Sequence, residues 1–125
     1  MDGVDTHTIS RLAAMRTAIG AEPRLRILRL LLSAQPGGMF VGAIQDELGI
    51  TGPTLSHHLD KLRTAGLVTV QRERQFLWYS ANSESLSQLL AFLMAECCTR
   101  NHVVDTASIL SAAGTTQIAR MRTIR

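Results

Sequence analysis

Residues 51–79, TGPTLSHHLDKLRTAGLVTVQRERQFLWY, limit what this chain can fold into more than any other stretch. Leu55, Leu59 and Leu62 recur at helical spacing and mark one buried face. Between them, Thr54, Ser56, His57 and Lys61 are small, polar or basic and point away from that face. A helix of this kind can lie in a major groove while docked to its own core, because short polar groups reach base edges. Residues 67–72 and 75–80 then alternate as strands do, with Val68, Val70, Leu77 and Tyr79 as the β-prone members. The tip between them, Arg72-Glu73-Arg74-Gln75, makes a basic hairpin, or wing.

The preceding segments supply the scaffold. Ile9, Leu12, Met15 and Ile19 predict a helix over 8–19. A second is predicted over 22–34, with Pro23 in its first turn, where the missing N–H costs nothing, and Leu25, Leu28, Leu31 and Leu32 as its buried stripe. Gln35-Pro36-Gly37-Gly38 stops it. A short helix over 41–48 and a turn at Gly49 lead to Thr51, an expected N-cap, and the next helix ends at Gly66. Two short helices joined by a glycine turn make a helix-turn-helix. The last helix begins near Ser83, carries Leu86, Leu89, Leu90, Leu93 and Met94, and extends toward Ile109 and Leu110. The expected fold class is mainly α with a small β-hairpin: a dimeric winged helix-turn-helix. Residues 1–7 are expected to be a flexible N-terminus, 8–111 the DNA-binding and dimerisation domain, and 112–125 a disordered tail.

Bulk composition agrees. A chain of 125 residues is one domain by size, and with 46% hydrophobic but only 4% aromatic residues its core must be built from aliphatic side chains on packed helices. A net charge of +3 favours a polyanionic partner, here double-stranded DNA. No stretch reaches the ~18 apolar residues of a membrane span, and MDGVDTHTIS has no apolar signal core. With only two cysteines, adjacent in sequence, there is no disulfide framework, so a reducing, cytoplasmic setting is expected. No glycine-rich phosphate loop, metal-hydrolase motif or nucleophile–base pair is visible, so an enzyme is not expected.

The succession of a GxEPRLRIL helix, a helix-turn-helix with TLSHHLDKLRTAGLV, and an RERxFxWY wing resembles the ArsR/SmtB family of winged-helix transcriptional repressors. The matching segments are 20–31, 49–68 and 72–80, within a resemblance over about 8–100. It implies a homodimer that represses an operon until an inducer, often a metal or metalloid ion, releases it from DNA. It further implies that Thr51, Thr54, Ser56, His57 and Lys61 read DNA, and that Arg72 and Arg74 reach phosphate or a minor groove. The sequence departs from the family twice here: Arg74 stands where glycine is frequent at the wing tip, and Gly52 replaces a longer polar residue that would contribute a base contact. His58 flanks the leucine stripe and is expected to be partly buried, whereas Arg24, Arg26 and Arg29 read as a solvated face or phosphate contacts.

Cys97 and Cys98 suggest what the chain senses. Cys97 continues the stripe of Leu86, Leu90 and Leu93, and cysteine often behaves as a small buried hydrophobe. Adjacent side chains diverge by about 100° on a helix, however, so a core stripe has no use for two in a row. Two neighbouring sulfurs can clasp one soft, thiophilic centre such as trivalent arsenic or antimony. Arsenic-responsive members of the resembled family include some with Glu-Cys-Cys in the last helix and a further cysteine later. Glu96-Cys97-Cys98 matches, but Val103 and Val104 occupy the region of that further cysteine. A methylated trivalent arsenical brings its own carbon as third substituent, so the missing cysteine favours methylarsenite over arsenite or antimonite. His102, four residues after Cys98, is a weak additional ligand candidate; zinc, which wants about four ligands, is poorly served. Ala43-Ile44-Gln45-Asp46 stands where some relatives carry a cysteine cluster. No resident cofactor is expected. The alternatives are a thiol-based redox or persulfide-sensing repressor and a ligand-free DNA-binding regulator.

Overall fold

The computed structural model describes residues 5–96 together with 107, 110 and 111. The elements run α1 (Thr6–Ile19), α2 (Glu22–Ser33), β1 (Met39–Phe40), α3 (Val41–Leu48), α4 (Gly52–Thr64), β2 (Val68–Glu73), β3 (Phe76–Ala81) and α5 (Ser83–Glu96). The chain divides into two compact units, Met1–Leu89 and Leu90–Arg125.

The first unit is organised on α2, which packs against α1, α3, α4 and β3. Its fully buried residues are Ile27 and Leu31, with Leu28 beside them. The expected stripe is thereby corrected: Leu28 and Leu31 are core, Leu32 is half-buried, and Leu25 is 51% exposed. Because α2 is enclosed on several sides, Ile27 can be buried outside a simple leucine ladder. On α1 the buried set is Leu12, Met15 and Ala18, with Ile9 exposed and Ile19 half-buried. The helix starts at Thr6, two residues before the expected 8, because the Asp5 carboxylate accepts a 2.7 Å hydrogen bond from the Thr8 N–H and so caps it. The Thr8 side chain first, and then its N–H, lower the pKa of the Asp5 carboxyl from its ordinary value.

The hairpin lies one residue later than expected at each strand. Its register pairs Val68 with Ala81 at the base and Glu73 with Phe76 at the tip, leaving Arg74 and Gln75 as a two-residue loop. A third strand, β1, was not legible in the sequence. It pairs antiparallel with β3, Met39 opposite Tyr79 and Phe40 opposite Trp78, giving the order β1-β3-β2. Gly38 makes this pairing possible. Its φ is +80°, and an added Cβ would fall 2.6 Å from the Tyr79 carbonyl oxygen. Any side chain there would push β1 off β3.

The base of the wing is fastened by polar groups. The Asn82 N–H donates to the Leu67 carbonyl at 2.8 Å and its side-chain amide to the Gly66 carbonyl at 3.1 Å. Asn82 Oδ1 accepts from the Ser85 N–H at 3.2 Å, capping α5. Gln35 Nε2 donates to the Ala81 carbonyl at 2.6 Å, tying the end of α2 to β3.

Within the second unit, Leu90 and Leu93 of α5 are exposed, whereas Leu89, at the end of the first unit, is buried. Cys97, Cys98 and His102 lie outside the described residues, as do residues 1–4 and 112–125 of the expected flexible ends.

Candidate nucleic-acid interface

The helix-turn-helix forms as the residues require. Gly49 closes α3 at φ +65°, in the left-handed region that glycine enters without steric cost, and its N–H donates to the Gln45 carbonyl at 2.8 Å. The turn then delivers Thr51 as the N-cap of α4, with Pro53 in the first turn. The Thr51 side chain makes no bond to the helix backbone, which corrects part of its expected capping role. Its hydroxyl donates instead to Thr54 Oγ1 at 3.1 Å. Thr54 accepts there and keeps its own O–H to donate outward.

Leu55, Leu59 and Leu62 are buried to 1% exposure or less, so the phase of α4 is fixed. At about 100° per residue, His57 then points most nearly opposite the leucine stripe. Thr54 and Lys61, seven residues apart, lie together to one side of it, and Ser56 lies on the other. All four, with Thr51, are exposed. The expected reading face is therefore a fan across the outer half of the helix. Its two edges meet different neighbours. Lys61 lines a cleft of about 320 Å³ shared with Ala14, Thr17, Arg24, Asp60 and Thr64. Ser56 lines a groove whose far wall is the wing. At Gly52 an added Cβ would meet only Gln45 Nε2, at an ordinary 3.5 Å, so the missing polar side chain leaves open space.

On the wing, Arg72 and Arg74 are both exposed. Arg74 holds φ +60° at the first loop position, the conformation that favours glycine there. Arg72 pairs with Leu77 and so belongs to the sheet face that carries Val68 and Ala81. On the opposite face, Phe76 and Phe40 stack edge-to-face at 5.7 Å, and Phe40 and Trp78 lie 5.8 Å apart. Phe40, Phe76 and the pairing of Phe40 with β3 escaped the sequence reading; FLWY was the only available signal, and it marked a strand rather than a face.

His58 is half-buried, as expected. Burial lowers its pKa from the ordinary 6.5, and the positive charge of Arg24 and proximity of His57 add to the shift. Its Nδ1 and the Nε of Arg24 are both buried without a hydrogen-bond partner. Arg24 thus departs from the solvated face expected of the α2 arginines. Arg26 does belong to it, bonded to Glu22 at 2.7 Å with both side chains exposed, and Arg29 is exposed. Among the described residues, no group of three His, Cys, Asp or Glu could hold a metal ion, and no helix is long and apolar enough to cross a membrane.

Comparison with known proteins agrees with this architecture. A helix-turn-helix domain family matches residues 21–71. The nodulation protein NolR of Rhizobium meliloti is 34% identical over 90 residues, covering 71% of each chain. The transcriptional repressor SdpR of Bacillus subtilis is 34% identical over 77 residues, 62% of this chain and 82% of its own. Among solved structures, the homodimeric winged helix-turn-helix DNA-binding domain of Mb0332 from Mycobacterium bovis, a possible ArsR-family transcriptional regulator, superposes with a TM-score of 0.59 at 26% identity, covering 84% of this chain and 99% of that one. With the glycine turn, the outward fan on α4 and the basic wing in place, these similarities establish that the chain belongs to the ArsR/SmtB family of winged helix-turn-helix transcription regulators.

Proposed function

We propose that the chain is a homodimeric repressor that holds double-stranded operator DNA through α4 and the wing, and that a trivalent arsenical bound by Cys97 and Cys98 releases it. The observation that carries the DNA assignment is the fan of Thr54, Ser56, His57 and Lys61, exposed on a helix whose other side is locked by three buried leucines. Such a helix can enter a major groove without unpacking. Dimerisation is supported by the exposed Leu90 and Leu93 and by the homodimeric relative Mb0332. Repression is supported by the kinship with SdpR.

The release step rests on the adjacent thiols in the sequence. A ligand need only prefer the DNA-incompetent state; a hundredfold preference is worth about 2.7 kcal/mol. Thiolate is the binding form, so release weakens at acid pH. The test is a titration of the DNA complex with methylarsenite, arsenite, antimonite, zinc and a polysulfide in turn. Release by methylarsenite, abolished by Cys97→Ser and by Cys98→Ser with DNA binding intact, is the expected result. Release by polysulfide alone would replace the inducer with a sulfur oxidant, and indifference to all five would leave a ligand-free regulator.

A further inference from the structure

Helices α1, α2 and α4 pack on one another and form between them the cleft of about 320 Å³ that Lys61 lines. Ala14 and Ala18 of α1 and Ala65, just past α4, give it apolar walls. Arg24 from α2, and Asp60 and Lys61 from α4, bring charge to it. The Asp60 carboxylate already accepts a 2.8 Å bond from Arg63. Arg24 has no such partner. Among the described residues no carboxylate forms an ion pair with its guanidinium, and its Nε is buried without a hydrogen bond. A half-buried cation is costly to hold without an anion beside it. The effect on its surroundings is visible at His58, whose pKa is lowered first by desolvation and then by the Arg24 charge.

We propose that this cleft binds a small organic monocarboxylate, with the terminal nitrogens of Arg24 and the Lys61 ammonium on the carboxylate and the three alanines against a short apolar body. The ligand chemistry follows from charge and shape. The two cations outnumber the one acid, so the cleft attracts an anion, and Asp60 repels a dianion such as phosphate more than a monoanion. A guanidinium presents paired N–H groups that match a planar carboxylate. The alanine walls offer contact to carbon and no side-chain hydrogen bonds. Ligand pockets begin at about 300 Å³, so the occupant is small. Lys61 belongs to the outward fan of α4 as well as to the cleft. A bound carboxylate therefore draws it away from DNA, a consequence that rests on the DNA-binding reading given above.

The experiment follows the His58 imidazole of the full chain by NMR, without DNA, as pH is varied in the presence of butyrate, acetate, butyramide or inorganic phosphate, each against sodium chloride of equal ionic strength. Butyrate should offset the Arg24 field and raise the His58 pKa. It should bind about fourfold tighter than acetate, the worth of one buried methylene, and butyramide should have no effect. Arg24→Gln should raise the His58 pKa without ligand and abolish the response to butyrate. Ala14→Met, which fills the cleft and leaves both cations in place, should abolish it too. A His58 pKa that butyrate moves no more than sodium chloride does overturns the site, and phosphate binding tighter than butyrate overturns the carboxylate. In a second measurement, butyrate should weaken wild-type binding to a duplex selected from a random-sequence pool, and Arg24→Gln should remove that sensitivity. Duplex affinity indifferent to butyrate while His58 shifts overturns the coupling through Lys61. A wild type that selects no duplex overturns the DNA reading and leaves the site standing on the His58 shift.

Discussion

At the wing tip, Arg74 stands under two opposed demands. Its φ of +60° disfavours any side chain, at a cost of roughly 1–2 kcal/mol, while its position at the end of a basic hairpin favours a cation facing DNA. Arg74→Gly should therefore raise stability by about 1 kcal/mol in urea denaturation and weaken DNA binding, with a salt slope smaller by about one unit. A variant less stable than the wild type would mean that the tip is not strained. His58 presents a second single-residue question. Its folded-state pKa lies below the ordinary 6.5, chiefly through burial, then through Arg24 and His57. The unfolded chain thus binds the proton more readily, and stability rises with pH where that is so. The His58 contribution is complete above about pH 6.5 and is lost as pH falls through the folded-state pKa. Thermal unfolding of the wild type should fall more steeply below pH 6.5 than that of His58→Gln, and parallel profiles would refute this account.

In the proposed DNA complex, α4 and the hairpin divide the labour of recognition. Base-edge contacts distinguish sequences and phosphate contacts do not. Ser56→Ala or His57→Ala should lower affinity for a selected duplex several-fold to tenfold or more, since good base contacts discriminate by about 1–3 kcal/mol, and leave binding to mixed-sequence DNA nearly unchanged. Arg72→Ala should weaken both alike. Competition binding against mixed-sequence DNA measures the difference, and wing variants that changed sequence preference would reverse the roles. The two elements act as one reader only if the hairpin is held at its base. Asn82 does this by bonding Gly66, Leu67 and Ser85 at once. Asn82→Ala removes a cap and the side-chain bond to Gly66, and should cost about 1–2 kcal/mol of stability by urea titration. No loss would show that backbone pairing alone carries the junction.

For the whole molecule, the question is assembly. Leu93 is 62% exposed and Leu90 half exposed on α5, so among the described residues neither belongs to a buried core. Sedimentation at micromolar concentration should give twice the 13.7 kDa chain mass, and Leu93→Glu should return a folded monomer with the same helical circular dichroism. A Leu93→Glu chain that remains dimeric would move the interface elsewhere. Two recognition helices in one dimer would meet half-sites about one duplex turn apart, ~34–36 Å, so the monomer should also lose the cooperative part of DNA binding.

Elements with strong local signals are legible in the amino-acid chain alone. Periodicity located α1 to α4, the hairpin and the start of α5 to within a few residues, because a helix or strand with one buried face must repeat its apolar positions at its own period. Gly49 and the Leu55, Leu59 and Leu62 stripe were legible for the same reason, and with them the outward-facing candidates on α4. Features that depend on partners distant in the chain emerge only on packing. Leu25 and Ile27 are equally apolar, yet only Ile27 is buried, because the neighbours around α2 choose which side of it is core. A two-residue strand has no period to detect, so β1 and the close approach of Gly38 to Tyr79 emerged only from pairing. The aromatic groove between α4 and the wing follows from that same packing: it brings together residues far apart in sequence, and no local pattern encodes such a meeting.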